Sequence, residues 1–176
     1  MAKEELFKNP LFGRFITMLA AFPVRRGEGD TEAIRRAMSL VESGAIVLVF
    51  PEGTRGDAVH IQPINRGVAM LAKRTGAPVM PVGIVGTHLV MPRDKDKKSR
   101  KHPMIVACGE PFTYAEVSTG SSEKENRELF ARELQNRIRE LCRQNGLDLK
   151  IDAHSSALEG SSVRAPETLA PETEPA

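Results

Sequence analysis

The chain has 176 residues, 40% of them hydrophobic, with a formal net charge of +2 and two cysteines. That is material for one core and not two. Residues 15–24, the longest apolar stretch, include Thr17 and Pro23 and fall short of the roughly 20 residues that a membrane span needs.

No signal peptide is read at an amino terminus carrying Lys3, Glu4 and Glu5. Cys108 and Cys142 have neither redox nor metal-ligand spacing, so both are expected to be reduced and structural, in an intracellular protein. No motif suggests a metal or a nucleotide cofactor.

In chain order, Leu11, Phe12, Phe15, Ile16 and Leu19 recur on one face of a helix after Pro10. Such a stripe is expected to pack on a sheet. With Lys8 and Arg14 alongside, contact with a lipid interface is the other reading. Asp30 is a plausible N-cap for a helix over 31–42 that stops at Gly44. The unbroken apolar run 45–50 predicts a strand covered on both faces. A helix over 66–74 turns Val68, Leu71 and Ala72 inward and ends at Gly76. Strands are predicted over 79–85 and 104–108. A long charged helix follows over 122–145, with Leu129, Leu134, Ile138 and Leu141 as its stripe. The alternation predicts an α/β fold, a mainly parallel sheet flanked by helices, over residues 1–150.

Directly behind the apolar run stands Phe50-Pro51-Glu52-Gly53-Thr54-Arg55. Pro51 stops a ladder because it has no N–H to donate. Gly53 allows a turn or a close backbone approach. Thr54 offers a hydroxyl, and Arg55 a planar fork of donors suited to phosphate or carboxylate. Glu52 can orient Arg55 or a substrate hydroxyl. The collection reads as an anion-binding loop; a surface turn with an exposed Glu52–Arg55 pair is the plainer alternative.

This segment resembles a signature block of the glycerolipid acyltransferases, the lysophosphatidate (1-acylglycerol-3-phosphate) acyltransferase family. The likeness covers about residues 2–115. Ala2-Lys3-Glu4-Glu5-Leu6-Phe7 is similar to the stretch that follows the family's catalytic block, and Phe22-Pro23-Val24-Arg25-Arg26 to its second block. Arg25 stands where the family has an acidic or amide residue, and Arg26 falls on the family's arginine. Ala77-Pro78-Val79-Met80-Pro81-Val82-Gly83-Ile84 resembles the fourth block. At Gln62-Pro63-Ile64-Asn65-Arg66-Gly67, Asn65 replaces the family's lysine and Arg66 brings a charge one position later.

The resemblance implies a glycerol-3-phosphate acyltransferase-like fold and an O-acyltransferase of phospholipid biosynthesis. An acyl group would pass from acyl-CoA or acyl carrier protein to 1-acylglycerol-3-phosphate or a similar lysophospholipid. It implies phosphate binding by Arg26, Glu52, Gly53, Thr54 and Arg55, and an acyl or thioester pocket shaped by Phe50, Pro51, Pro81 and Val82. The family's base is a His with an Asp five positions on. Here Asn65, Arg93, Ala107 and Glu159 stand five positions after His60, His88, His102 and His154. No catalytic pair is therefore expected among these residues. The missing block would precede residue 2, so the chain is expected to begin inside the domain, as part of a longer protein. A catalytically silent lipid- or membrane-binding relative is the alternative.

Residues 151–176, rich in Ser, Pro, Glu and Thr, are expected to be a disordered tail. Asp152, Glu159, Glu167, Glu172 and Glu174 against Arg164 give that tail −4, which leaves +6 on residues 1–150. Six basic residues against Asp94 and Asp96 concentrate +4 in 93–101. This run reads either as a solvated loop or as attraction to an anionic membrane surface. With one Tyr and no Trp, the chain lacks stacking platforms for nucleic acid. A peripheral location on the cytoplasmic face of the membrane is expected.

Overall fold

Local signals start and stop most of the elements. The computed structural model describes residues 2–24, 31–54, 56–91 and 101–151. β1 (Ala2–Lys3) runs into a 3-10 turn at Glu4–Phe7 and then α1 (Pro10–Met18). Asn9 opens α1, its Oδ1 accepting the N–H groups of Leu11 and Phe12 at 3.1 Å each, while Pro10 fills the first turn. β2 (Pro23–Val24) and α2 (Thr31–Glu42) follow; Asp30, the expected cap, lies outside the described residues. α2 ends as expected at Gly44, whose φ of +84° suits glycine.

After β3 (His60–Ile61), α3 (Arg66–Thr75) is capped by Asn65 and closed by Gly76 at φ +62°, whose N–H donates to the Ala72 carbonyl. β4 (Val82–Val85), α4 (Thr87–Val90), β5 (Ile105–Cys108) and α5 (Tyr114–Val117) lead to α6 (Glu123–Gln144), which Ser122 caps through the Glu125 N–H. β6 (Lys150–Ile151) comes last. Ile151, read as the start of the tail, instead pairs with Ile61; residues 152–176 lie outside the described part.

The α/β architecture is as expected. β1 pairs parallel with β2 and β3 parallel with β6, whereas β4 and β5 pair antiparallel. An antiparallel bridge between Val79 and Phe112 extends that last pair.

Two hydrophobic clusters hold the elements together. Ile64, Ala69, Ala72, Phe112, Tyr114, Phe130 and Leu134 join α3, α5 and α6. Phe22, Ala33, Ala37 and Leu71 join α2 to α3, where small residues let the helices approach closely. Phe130 stacks on Phe112 and Tyr114 at 5.4 and 5.3 Å between centroids. Thus the buried line of α6 is Phe130, Leu134 and Cys142, shifted from the predicted stripe, in which only Leu134 is fully buried.

Two expectations are corrected. The run 45–50 forms no ladder with another described segment, and it is not covered on both faces. Val47 and Val49 pack on the second cluster, while Ile46 is 99% exposed and Leu48 and Phe50 point outward. An apolar run cannot distinguish one covered face from two. The α1 stripe is also turned the other way. Only Ile16 of the five is buried, beside Gly13, because Gly13 meets the backbone of Phe7 so closely that a Cβ would lie 2.9 Å from its carbonyl oxygen. That close approach, and not the apolar stripe, sets the inward face.

Candidate functional site

The loop after residue 50 is built by its own turn chemistry. Gly53 sits at φ +64° and its N–H donates to the Phe50 carbonyl at 3.1 Å. The Pro51 carbonyl accepts the Asn65 N–H at 2.8 Å, tying the loop to the cap of α3. Glu52 is half-buried, and its Oε2 accepts the Gln62 N–H at 2.8 Å. Behind the loop, the Gln135 side chain of α6 donates to the Ile61 and Gln62 carbonyls at 3.3 and 3.1 Å.

The structure therefore brings Phe50, Pro51, Glu52, Gly53 and Thr54 together, with Phe50 and Thr54 facing out. Arg55 and Arg26 lie outside the described residues. Pro81 is fully buried, with its ring against Gly109 and its carbonyl accepting the Gly109 N–H at 2.9 Å. Val82, next in line at the start of β4, is half-buried. Gly83 of β4 fits against Leu141 and Cys142 of α6. The charge of Glu52 reaches that same buried thiol, whose pKa is raised by desolvation above all. β4 thus packs on α6, the same helix whose Gln135 backs the segment behind the loop.

Burial pushes the Glu52 carboxyl above its ordinary value; the Gln62 N–H opposes the shift and the Asp57 charge adds to it. A carboxyl whose pKa is raised by folding binds its proton more tightly in the folded chain. Its contribution is complete below the unfolded pKa and is lost as pH rises through the folded one. Glu52→Gln keeps an acceptor for the Gln62 N–H and removes the buried charge. It is therefore expected to unfold at higher urea than the parent at neutral pH, and to lose that advantage in acid. An advantage independent of pH would rule burial out as the cause.

One His–Asp pair runs in the reverse order along the chain. Asp57 precedes His60 by three residues; its Oδ2 lies 2.9 Å from His60 Nδ1, and its Oδ1 accepts the N–H groups of Val59 and His60 at 2.8 and 2.7 Å. The hydrogen bond from the His60 ring, helped by the two backbone donors, holds the Asp57 carboxyl well below its usual range. The spacing of His followed by Asp does not signal it, and the pair stands at the exposed rim of the segment. His88 and His102 line a separate cavity of about 300 Å³ with Gly86, Leu89, Asn145 and Leu147. Among the described residues no cluster of three or more His, Cys, Asp or Glu side chains could hold a metal ion.

This α/β frame, with a turn anchored behind an apolar run, matches a family model described as Acyltransferase over residues 1–85. The 1-acyl-sn-glycerol-3-phosphate acyltransferase of Bacillus subtilis is 34% identical over 148 residues, which cover 84% of this chain and 69% of that protein. The chloroplastic 1-acyl-sn-glycerol-3-phosphate acyltransferase BAT2 of Brassica napus is 34% identical over 52% of this chain and 27% of its own length. The solved structure of the 1-acyl-sn-glycerophosphate (LPA) acyltransferase PlsC from Thermotoga maritima superposes with a TM-score of 0.60 at 30% identity, covering 80% of this chain and 55% of that one. The chain belongs to the acyltransferase family that these 1-acylglycerol-3-phosphate acyltransferases represent. It spans about half of the Thermotoga chain and about a quarter of the Brassica protein.

Proposed function

We propose that this domain serves acyl transfer to 1-acylglycerol-3-phosphate or a similar lysophospholipid, from acyl-CoA or acyl carrier protein. In that reaction the acceptor's free hydroxyl gives up its proton to a base and attacks the thioester carbon. The C–S bond breaks and the thiol leaves. The observation that carries the reading is the 51–54 turn, fastened at Pro51 to the cap of α3 and at Glu52 to Gln62. A turn fastened on both sides, with a left-handed glycine and an outward-facing Thr54, suits the acceptor's phosphate better than a mobile surface turn would.

Arg55 and Arg26 supply the charge, Gly53 and Thr54 the close backbone and the hydroxyl, and Glu52 holds the loop or meets the glycerol. Phe50, Pro51, Pro81 and Val82 shape the acyl end. No residue here is assigned as the base. No helix among the described residues is long and apolar enough to cross a membrane. The domain works peripherally, on an anionic surface at the cytoplasmic face, where its substrate resides.

Arg55→Ala is expected to raise the Michaelis constant for the phosphorylated acceptor. A charge-assisted phosphate contact contributes about 1.5–3 kcal/mol, so the rise is on the order of tenfold or more. Steady-state assays with varied acceptor and saturating thioester measure it. An unchanged constant would remove Arg55 from phosphate binding.

A further inference from the structure

α1 presents a face that the fold leaves bare. Leu11, Phe12, Phe15, Met18 and Leu19 are 84, 45, 51, 76 and 63% exposed, whereas Gly13 and Ile16 are buried. At 100° per residue the five outward side chains fill an arc of about 120° on one side of the helix. Arg14 falls at the edge of that arc and Lys8 precedes the helix, both exposed. Between residues 6 and 24 there is no Asp or Glu, so Lys8 and Arg14 are the only formal side-chain charges there.

The uncharged polar side chains of the helix and its cap are turned back on the chain. Thr17 Oγ1 donates to the Gly13 carbonyl at 2.8 Å, and Asn9 Oδ1 takes the first two helical N–H groups. The face thus carries little that needs water.

We propose that α1 lies in the plane of an anionic lipid surface, with Leu11, Phe12, Phe15, Met18 and Leu19 among the acyl chains and Lys8 and Arg14 at the headgroups. Exposed Lys8 and Arg14 beside an apolar arc, with Glu4 and Glu5 in the turn before them, complement phospholipid, in which negative charge lies directly above hydrocarbon. The choice of lipid over a protein partner rests on the proposed function, because an enzyme with a lipid acceptor has to reach the bilayer. The surface itself is read from the helix alone. Held in this way, α1 brings to the bilayer the edge of the domain where β1 and β2 pair.

The test uses the full chain and vesicles of phosphatidylcholine with and without phosphatidylglycerol. The chain has no tryptophan, so Phe15→Trp makes a reporter confined to this face and Arg132→Trp, on α6, a control. Phe15→Trp is expected to shift to the blue on phosphatidylglycerol vesicles and to be quenched by brominated lipid, while Arg132→Trp is not. In flotation, Leu11→Gln with Phe15→Gln should weaken partitioning on the order of tenfold or more. Removing Lys8 and Arg14 should weaken it about fivefold per charge.

Vesicle binding that these substitutions leave unchanged would overturn the assignment and pass it to another surface. So would an absence of vesicle binding, or self-association that the same substitutions abolish. Binding is read without turnover. A chain that docks but lies in no acyltransferase would sink the proposed function and leave the role of α1 standing; transfer to a monomeric acceptor without docking would do the reverse.

Discussion

Phe130→Ala is expected to lose about 3–5 kcal/mol of unfolding free energy, the range for truncating a fully buried aromatic residue. Phe130 is completely shielded from solvent at the middle of α6, with Phe112 and Tyr114 against its ring. Removing it forfeits the transfer term and leaves a cavity bounded by three elements that cannot all close in together. A domain of this size holds only about 5–15 kcal/mol in total, so a large part of its stability goes. Urea denaturation at constant slope measures the loss. Phe12→Ala, on the outer face of α1, is the comparison and should stay within about 0.5 kcal/mol. Equal losses at the two positions would mean that the α1 face is covered in solution.

Gly86→Ala is expected to cost about 2–4 kcal/mol, from a strained backbone and a clash together. Gly86 sits at φ +94° between β4 and α4, and a Cβ there would lie 2.5 Å from the Pro103 carbonyl oxygen. That oxygen accepts the His102 Nδ1–H at 2.8 Å, so it cannot move away without releasing the ring. Gly44→Ala isolates the backbone part, since Gly44 has a similar φ of +84° and open space where a Cβ would go. It should lose only about 1 kcal/mol. A Gly86 loss no larger than that at Gly44 would show that the 102–103 segment yields freely.

What could be read from the sequence was mostly local. Gly76, Ser122 and Asn145 mark real helix ends because a cap is decided by a residue and its neighbours a few positions away. The 51–54 turn was legible for the same reason, Pro51 and Gly53 being strong backbone instructions. The direction of α1 was not. Periodicity shows that a helix has an apolar face, but the contact that orients this one runs through Gly13, a residue with no side chain to notice. The run 45–50 carried the same ambiguity, since Ile46, Leu48 and Phe50 are as apolar as Val47 and Val49 and only tertiary placement tells them apart. Gln135 gave no signal at all. Nothing in a polar residue of a charged helix announces an amide aimed at two carbonyls more than 70 positions away.

That distance along the chain has a kinetic meaning. The segment behind the 51–54 turn is clasped by Gln135 and edged by β6, where the Lys150 N–H donates to the Val59 carbonyl at 2.8 Å. Contacts closed over such long loops form after local ones, because loop-closure entropy must be met before they contribute. On a ribosome, residues 45–62 emerge well before their clasp exists, and the turn can form as soon as its own glycine and proline are free. Its framing cannot be completed until α6 and β6 have been made and have docked. The part of the molecule that proclaims its family most plainly is, in time, among the last to reach its working shape.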